Sequence, residues 1–244
     1  MFPIAARIDS TETRLAAYDV LTESSRKILA VDVGGSHVKV LLSDDAEERR
    51  IDSGPQLGPQ EMIAGIAGLT ADWSYDRVSI GIPAPIHDGR VVSEPVNLGT
   101  GWVGFDFQEA FAKPTKVVND AAMQALGSYE GGRMLFLGLG TGLGSALVVN
   151  GLVEPMELGH LPFRKETFED YVGERGRKRL GDKKWQKAVA EVVDRLSMAL
   201  EPDYVVLGGG NAKRLGTLPP NARLGRNDNA FVGAFRLWDP PVMT

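Results

Sequence analysis

The chain has 244 residues, a formal net charge of −5, no cysteine and 29 glycines. Because 43% of the residues are apolar, it can form a full hydrophobic core, and its length fits one large domain or two small ones. The lack of cysteine excludes disulfides, thiolate metal sites and a cysteine nucleophile. The acidic balance argues against a general nucleic-acid binder, and no apolar run approaches the roughly 20 residues that cross a bilayer. We therefore expect a cytoplasmic protein without nucleic-acid or membrane partners.

The first half of the chain predicts an extension followed by an α/β unit. Residues 1–26 are polar and form the expected extension, and two apolar strands at 27–31 and 38–42 are joined by a turn that holds Gly34 and Gly35. The elements predicted next are a helix over 60–69, a strand over 77–82, a short helix over 105–112, a strand over 115–118 and a helix over 119–129 opened by Asn119 and Asp120 as caps.

The second half starts with the same pattern. Strands at 134–137 and 145–149 flank a glycine turn at 138–144, and Asn150-Gly151 closes the hairpin. The remaining predicted elements are helices over 166–179 and 183–200, a strand over 204–207 with its own glycine turn, and a last helix near 228–237. Because strand, glycine turn and strand occur twice, we expect two similar α/β halves whose phosphate-sized loops face each other.

The glycines concentrate in three clusters, and glycine lets a backbone approach a bound group closely. The first cluster, Gly34-Gly35, follows Asp32, a carboxylate at a strand end that is suited to a divalent cation beside a phosphate. The second is the turn at 138–144 with the hydroxyl of Thr141, and the third, 208–210, is expected to precede a helix. The alternatives are an ordinary hairpin turn at Gly34-Gly35 and a plain strand-to-helix turn at 208–210. Neither hairpin loop fits a Walker or Rossmann pattern, because both lead into strands.

Five motifs stand in a characteristic order along the chain. They are Asp32-Val-Gly-Gly-Ser, Val118-Asn119-Asp120-Ala121-Ala122, Leu139-Gly140-Thr141-Gly142-Leu143-Gly144-Ser145-Ala146, Glu157-Leu158-Gly159-His160 and Val206-Leu207-Gly208-Gly209-Gly210. This order resembles that of the ROK sugar kinases, and it is most similar to their short polyphosphate/ATP glucokinase branch. The resemblance covers about residues 27 to 237.

The resemblance implies the actin-like ATPase, ribonuclease H-like α/β fold, with two lobes around a central cleft. We expect a small lobe over 27–118 and a large lobe over 119–244, whose last helix could pack back on the small lobe. The implied function is a hexokinase-type transfer of a phosphoryl group from polyphosphate or ATP to the 6-hydroxyl of glucose or a related hexose. Two alternatives stay open, namely a non-catalytic sugar or nucleotide sensor on the same fold and an actin-like ATPase.

The expected sugar site has one catalytic base. Phosphoryl transfer to a hydroxyl needs a group that takes the proton, and Asp120 at a helix start is the candidate. By resemblance Asp120 also faces the 6-hydroxyl, Asn119 binds a neighbouring hydroxyl, and Glu157 with His160, three residues apart, holds two more. Glu169 is a further sugar candidate. Helix capping alone is the alternative for Asn119 and Asp120, and a solvated helix face is the alternative for Glu169.

The expected donor site binds a phosphate chain with Mg²⁺. Asp32 is the candidate metal ligand, and the candidate phosphate contacts come from the three loops and the first hairpin. They are Gly34, Gly35, Ser36, Lys39, Gly140, Thr141, Gly142, Gly144, Gly208, Gly209 and Gly210. The cysteine cluster that binds zinc in many ROK proteins has no counterpart, so no zinc is expected, and the resemblance implies a homodimer.

A basic segment bears on the identity of the donor. Residues 164–187 contain nine basic and five acidic side chains in an otherwise acidic chain. Such a segment could guide a polyanion such as polyphosphate by long-range attraction. A solvated helix face is the alternative for this segment, and an exposed strand lysine is the alternative for Lys39.

Overall fold

The computed structural model describes residues 26–45, 47–226 and 228–239. The strands, in chain order, are β1 (Ile28–Val33), β2 (His37–Leu42), β3 (Arg49–Asp52), β4 (Arg77–Ile82), β5 (Ile86–His87), β6 (Arg90–Val91), β7 (Thr115–Asn119), β8 (Arg133–Leu139), β9 (Leu143–Val149), β10 (Leu152–Met156), β11 (Pro162–Phe163), β12 (Glu166–Thr167), β13 (Tyr204–Gly208) and β14 (Ala222–Leu224). The α-helices are α1 (Pro59–Leu69), α2 (Phe107–Phe111), α3 (Asp120–Ser128), α4 (Phe168–Val172), α5 (Glu174–Leu180), α6 (Asp182–Leu200) and α7 (Asn229–Arg236), and 3-10 turns cover Leu158–His160 and Ala212–Arg214. The predicted extension lies, apart from Arg26, outside the described residues.

Two five-stranded sheets have the same internal order. The first runs β3-β2-β1-β4-β7 and the second runs β10-β9-β8-β13-β14. In each sheet a hairpin of two antiparallel strands carries a third antiparallel strand on one side and two parallel strands on the other. The repeated strand, glycine turn and strand pattern of the sequence therefore corresponds to a repeated sheet. No helix within the described ranges is long and apolar enough to cross a membrane.

Each sheet has a hydrophobic layer formed by its own helix. Helix α1 begins at Pro59, which suits the first helical position, and its buried Met62 and Ile66 lie one turn apart and pack on the first sheet. In the same way α6 buries Trp185, Val189 and other apolar side chains of one face against the second sheet. Helical periodicity in the sequence therefore places both helices correctly.

Helices α3 and α7 join the two sheets. Helix α3 contacts strands of both sheets, and α7 contacts α3, β1 and β4. The two helices approach each other closely at Gly127 and Gly233, because a side-chain carbon at Gly127 would overlap the backbone at Asn229, and one at Gly233 would overlap the carbonyl oxygen of Met123. Ser79 on β4 fixes α7 further by donating a hydrogen bond of 2.7 Å to the carbonyl oxygen of Ala234.

Three sequence predictions of local structure are wrong. The helix expected over 166–179 is instead the short strand β12 followed by α4 and α5, because extended Gly173 interrupts the helix where a side chain would collide with the carbonyl oxygen of Thr141. No helix follows directly after Gly210 in this described stretch, where only a 3-10 turn forms. The glycine turn expected over 138–144 is shorter, because Gly138 and Gly144 pair within β8 and β9.

Candidate active site

The carboxyl ends of three parallel strands bring two aspartates together. Asp32 on β1, Gly81 on β4 and Val118 on β7 lie side by side in register. Asp120 begins α3 immediately after β7, and its Cα lies 3.4 Å from the position that a side-chain carbon would take at Gly81. Because Gly81 has no side chain, the first turn of α3 can lie over the strand end. No sequence motif marks Gly81, because its place beside Asp120 depends on strand order.

The two aspartates form a poorly hydrated carboxylate pair. Burial is the main cause that raises the pKa of Asp120 to about 6, and the negative charges of Asp32 and Glu157 add to it. Burial also raises the pKa of Asp32 to about 6, against the opposing effect of the Lys39 ammonium. Ionisation of either carboxylate therefore destabilises the folded protein, and a bound cation would reduce that destabilisation.

The carboxylate pair fits Mg²⁺ only together with a phosphate ligand. No group of three or more acidic or histidine side chains is placed to hold a metal in the described part of the chain. Mg²⁺ commonly binds one or two carboxylates and takes its other ligands from water and substrate phosphates. Asp32 as the predicted metal ligand, with the Asp120 carboxylate nearby, is consistent with that mode, in which the protein does not supply a complete set of ligands.

Asn119 acts as the cap of α3. Its side-chain oxygen accepts hydrogen bonds from the backbone N–H groups of Ala121 and Ala122 at 2.9 and 3.3 Å, and its amide nitrogen donates to the carbonyl oxygen of Ala84 at 3.1 Å. The capping alternative is therefore present in the structure. These contacts fix the start of α3 and with it the direction of Asp120, while the contact between Asn119 and a sugar hydroxyl stays a prediction.

Glu157 lies between β10 and the 3-10 turn that contains His160. The hydroxyl of buried Ser145 donates to the carbonyl oxygen of Met156 at 2.7 Å and accepts from the N–H of Leu158 at 3.1 Å, so it holds the backbone on both sides of Glu157. Glu157 in turn lies near enough to raise the pKa of Asp120. The structure thus connects Glu157 to the aspartate pair. The sequence analysis did not assign this positioning role to Ser145.

His160 and Glu169 lie on neighbouring segments. The His160 Nε2 and the Glu169 Oε1 are 3.9 Å apart, and both side chains keep contact with solvent. The other oxygen of Glu169 occupies the space that a side chain would fill at Gly142. The glycine turn is therefore packed against a predicted sugar residue, which accounts for Gly142 without a phosphate.

The glycines of the second sheet divide into packed and open positions. Gly144 makes room for Ala121 at the start of α3, and Gly208 makes room for the ring of Phe136. Gly209 has a φ of +80° and lies against Leu139, a conformation that favours glycine. Gly140 and Gly210, by contrast, have open space at the side-chain position, but the N–H and carbonyl oxygen of Gly140 are already hydrogen-bonded within the protein. The phosphate contacts predicted for Thr141 and the rest of this turn stay predictions.

A cavity of about 190 Å³ lies between the two sheets. Its lining residues come from both halves and are Asp32, Lys39, Gln124, Gly208, Gly209, Gly210, Gly225, Arg226 and Ala230. Of the predicted donor contacts, Lys39 and the loop at 208–210 line this cavity together with the metal candidate Asp32, whereas the turns at 34–36 and 138–144 do not. The turn at 34–36 follows Asp32 in the chain, and the N–H of Ser53 donates to the Ser36 carbonyl oxygen at 2.9 Å. Lys39 also contacts Glu48 at 3.2 Å.

Four residues of the cavity lining were not predicted as site residues, namely Gln124, Gly225, Arg226 and Ala230. Gly225 and Arg226 reach the cavity because β14 runs parallel to β13 and ends at the same edge. Arg226 pairs with Asp228 at 2.7 Å and remains largely exposed. No motif marked these residues, since β14 has only three residues and was not predicted.

Comparison with known proteins gives consistent matches. The sequence profile described as the ROK family matches residues 28–176. A bifunctional enzyme NanE/NanK of Brucella melitensis is 31% identical over 55% of this chain but only 29% of its own length, so the chain spans less than a third of that relative. A polyphosphate glucokinase of Mycobacterium tuberculosis is 26% identical, with 78% of this chain and 80% of that protein covered.

A solved structure supports the architecture. The crystal structure of the inorganic polyphosphate/ATP-glucomannokinase from Arthrobacter sp. strain KM matches with a TM-score of 0.74 and 24% sequence identity. The match covers 88% of this chain and 98% of that one. The predicted actin-like ATPase fold is confirmed by this likeness and by the repeated mixed sheets.

Proposed function

Because the chain belongs to the ROK family, we propose that it is a hexokinase-type phosphotransferase that acts on glucose or a related hexose. The observation that carries the proposal is the position of Asp120. This carboxylate begins a helix at the edge of the first sheet, close to Asp32 and Glu157, and that helix contacts both sheets. A sugar kinase needs such a base between its sugar and its phosphoryl donor.

In the proposed reaction the sugar 6-hydroxyl attacks the terminal phosphorus of the donor. A bond forms between the sugar oxygen and phosphorus, the bond to the donor's bridging oxygen breaks, and the hydroxyl proton passes to an oxygen of Asp120. Glu157, His160, Glu169 and Asn119 orient the sugar, and the cavity at Gly208–Gly210 with Lys39 receives the donor phosphates. Mg²⁺, when held by Asp32 together with the donor, neutralises charge on the phosphates.

The relatives support either polyphosphate or ATP as the phosphoryl donor, so both are candidates. A coupled assay that crosses glucose, mannose, fructose and N-acetylated sugars with the two donors identifies the substrate pair. Under the same proposal the protein is a cytoplasmic homodimer with lobes at 27–118 and 119–244, and light scattering on the purified chain measures its oligomeric state.

The Asp120→Asn variant tests the catalytic assignment. We expect kcat to fall by about 10² to 10⁴-fold while sugar affinity, measured calorimetrically, changes only a few-fold, because the amide keeps the shape but cannot take a proton. Asp194→Asn, an exposed aspartate on α6, is the matched control and should retain full kcat. Full turnover by Asp120→Asn contradicts the assignment, and sugar binding without turnover by the unmodified protein indicates a sensor.

A further inference from the structure

The basic segment at 164–187 contains two kinds of cationic side chain. Several of its arginines are held by carboxylates, since Arg164 contacts Glu191 at 2.6 Å and Arg179 contacts Glu166 at 2.6 Å. Arg175, Arg177 and Lys178 also have acidic partners. These pairs account for more than half of the positive charge in the segment, which therefore does not attract a polyanion along its whole length.

The first turns of α6 differ from the rest of the segment. Lys183, Lys184 and Lys187 are exposed, and none of them has an ion pair among the described residues. The nearest carboxylate one turn beyond Lys187 is Glu191, which already lies between Arg164 and Arg195. These three lysines therefore keep their charge available to solvent.

The N-terminal end of α6 is hydrogen-bonded to the segment that follows the glycine loop at 208–210. The Gln186 side chain donates a hydrogen bond of 3.2 Å to the carbonyl oxygen of Arg214 and accepts one of 3.3 Å from the N–H of Gly216. Lys213 and Arg214 are exposed on the intervening 3-10 turn and likewise have no ion pair in the described ranges. We call these five residues the basic edge, namely Lys183, Lys184, Lys187, Lys213 and Arg214.

The basic edge is continuous with the donor cavity. Gly210 lines the cavity and has open space beside it, and Lys213 follows three residues later, so their Cα atoms are at most about 11 Å apart. Asn211 between them is fixed to the glycine turn of the second sheet by a hydrogen bond of 2.9 Å from its N–H to the carbonyl oxygen of Leu139. A phosphate chain that ends in the cavity therefore has a fixed, positively charged path out of it.

The side chains of the cavity and of the basic edge favour one kind of ligand. None of the described side chains that line the cavity is aromatic. Trp185 follows Lys184 in α6, but its side chain is fully buried on the opposite face, so neither the cavity nor the basic edge offers an aromatic ring on which a base could stack. A linear inorganic polyphosphate carries negative charge along its whole length and has no apolar part. Exposed lysines with free charge suit such a chain, because the binding energy then comes from charge neutralisation and counterion release.

We propose that the basic edge binds the distal phosphates of a linear polyphosphate whose terminal phosphate lies in the cavity. This inference rests on the proposed kinase function for its role in catalysis, but the binding itself can be measured independently. It predicts that long polyphosphate binds more tightly than tripolyphosphate, which is too short to use both the cavity and the edge. ATP carries only three phosphates and no distal ones, so we expect its use not to depend on these lysines.

The test compares two double variants of equal charge. Lys183→Gln with Lys187→Gln removes two charges from the basic edge, whereas Lys113→Gln with Arg133→Gln removes two exposed charges just before β7 and at the start of β8, at the opposite ends of the two sheets. We expect the first variant to bind long polyphosphate roughly tenfold more weakly, and to lower the slope of log Kd against log salt by roughly one. Its Kd for tripolyphosphate, its KM for ATP and its melting temperature should stay unchanged, and the second variant should match the unmodified protein.

Three results would overturn the proposal. They are equal affinity for long and short polyphosphate in the unmodified protein, the same loss in both double variants, and binding of single-stranded DNA as tight as that of polyphosphate, which would indicate a general polyanion surface. A protein that transfers no phosphoryl group from any donor, but whose polyphosphate binding depends on Lys183 and Lys187, would refute the kinase function while supporting the binding site.

Discussion

At the scale of single residues, Asp32 and Asp120 show how function opposes stability. A carboxylate that is buried beside another carboxylate destabilises the folded chain when it is ionised, and both aspartates have their pKa raised to about 6. The folded protein therefore binds protons more readily than the unfolded chain between about pH 4 and pH 6. In that window the free energy of unfolding falls as pH rises, and above it the full cost is present.

The pH dependence of stability gives a direct prediction. Without Mg²⁺, Asp120→Asn should unfold at higher denaturant concentration than the unmodified protein at about pH 8, by about 2 to 3 kcal/mol, and the difference should vanish at about pH 4. Urea unfolding at both pH values measures it. An equal gain at both pH values would mean that charge is not the cause, and Asp194→Asn serves again as the surface control.

At the scale of elements, the site depends on short segments held by buried polar side chains. Glu157 is the single residue between β10 and the following 3-10 turn, and Ser145 on β9 fixes the backbone on both sides of it through two hydrogen bonds. A side chain that binds the sugar from this position is oriented only as well as the backbone that carries it, and Ser145 holds that backbone.

Replacing this anchor should affect sugar binding more than the fold. Ser145→Ala should cost about 1 to 3 kcal/mol of stability, because it leaves the N–H of Leu158 without its partner, and it should raise the KM for the sugar more than the KM for the donor. Ser128→Ala is the matched control, since Ser128 is also buried and also bonds to backbone, but on α3 away from Glu157. A sugar KM raised equally by both variants would mean that Ser145 acts only through stability.

The sequence predicts most elements because their signals are local. Apolar strands before glycine turns identify β1, β2, β8 and β9, and periodic apolar residues identify α1 and α6. The wrong helix over 166–179 has helical composition throughout, and only the contact between Gly173 and the distant Thr141 explains its interruption. The same limit applies to the site. The ordered motifs indicate Asp120 and Glu157, whereas only the strand order brings Gly81 and Arg226 to the candidate site.

At the scale of the whole molecule, the crossing of α3 and α7 is the joint between the two halves. Gly127 and Gly233 let the helices approach until backbone contacts backbone, and α3 also carries Asp120. Ser79 adds a second connection, because it accepts a hydrogen bond of 2.8 Å from the Trp238 indole while donating to α7. Movement of one sheet relative to the other would therefore act directly on the start of α3.

A methyl group at this crossing should separate the halves. Gly233→Ala introduces a carbon that collides with the carbonyl oxygen of Met123, and we expect a loss of several kcal/mol, of the order seen for severe overpacking, about 3 kcal/mol or more. Gly68 is at an exposed position of α1, and a side-chain carbon there would meet no atom within 4 Å. Gly68→Ala should therefore stabilise the protein by about 0.4 to 1 kcal/mol. Thermal unfolding of both variants measures the contrast, and unchanged stability of Gly233→Ala would contradict the close crossing.

The bond between Ser79 and Ala234 also has a consequence for synthesis on the ribosome. Its partners are 155 residues apart in the chain, and the apolar face of the first sheet that carries Ala30, Leu41 and Val118 packs against α7, the last helix of the described residues. During translation, the first half of the chain therefore exposes this apolar surface to solvent until nearly the whole protein has been made. Such a surface is a target for chaperones, and truncation before α7 should leave a product that aggregates rather than a smaller folded domain.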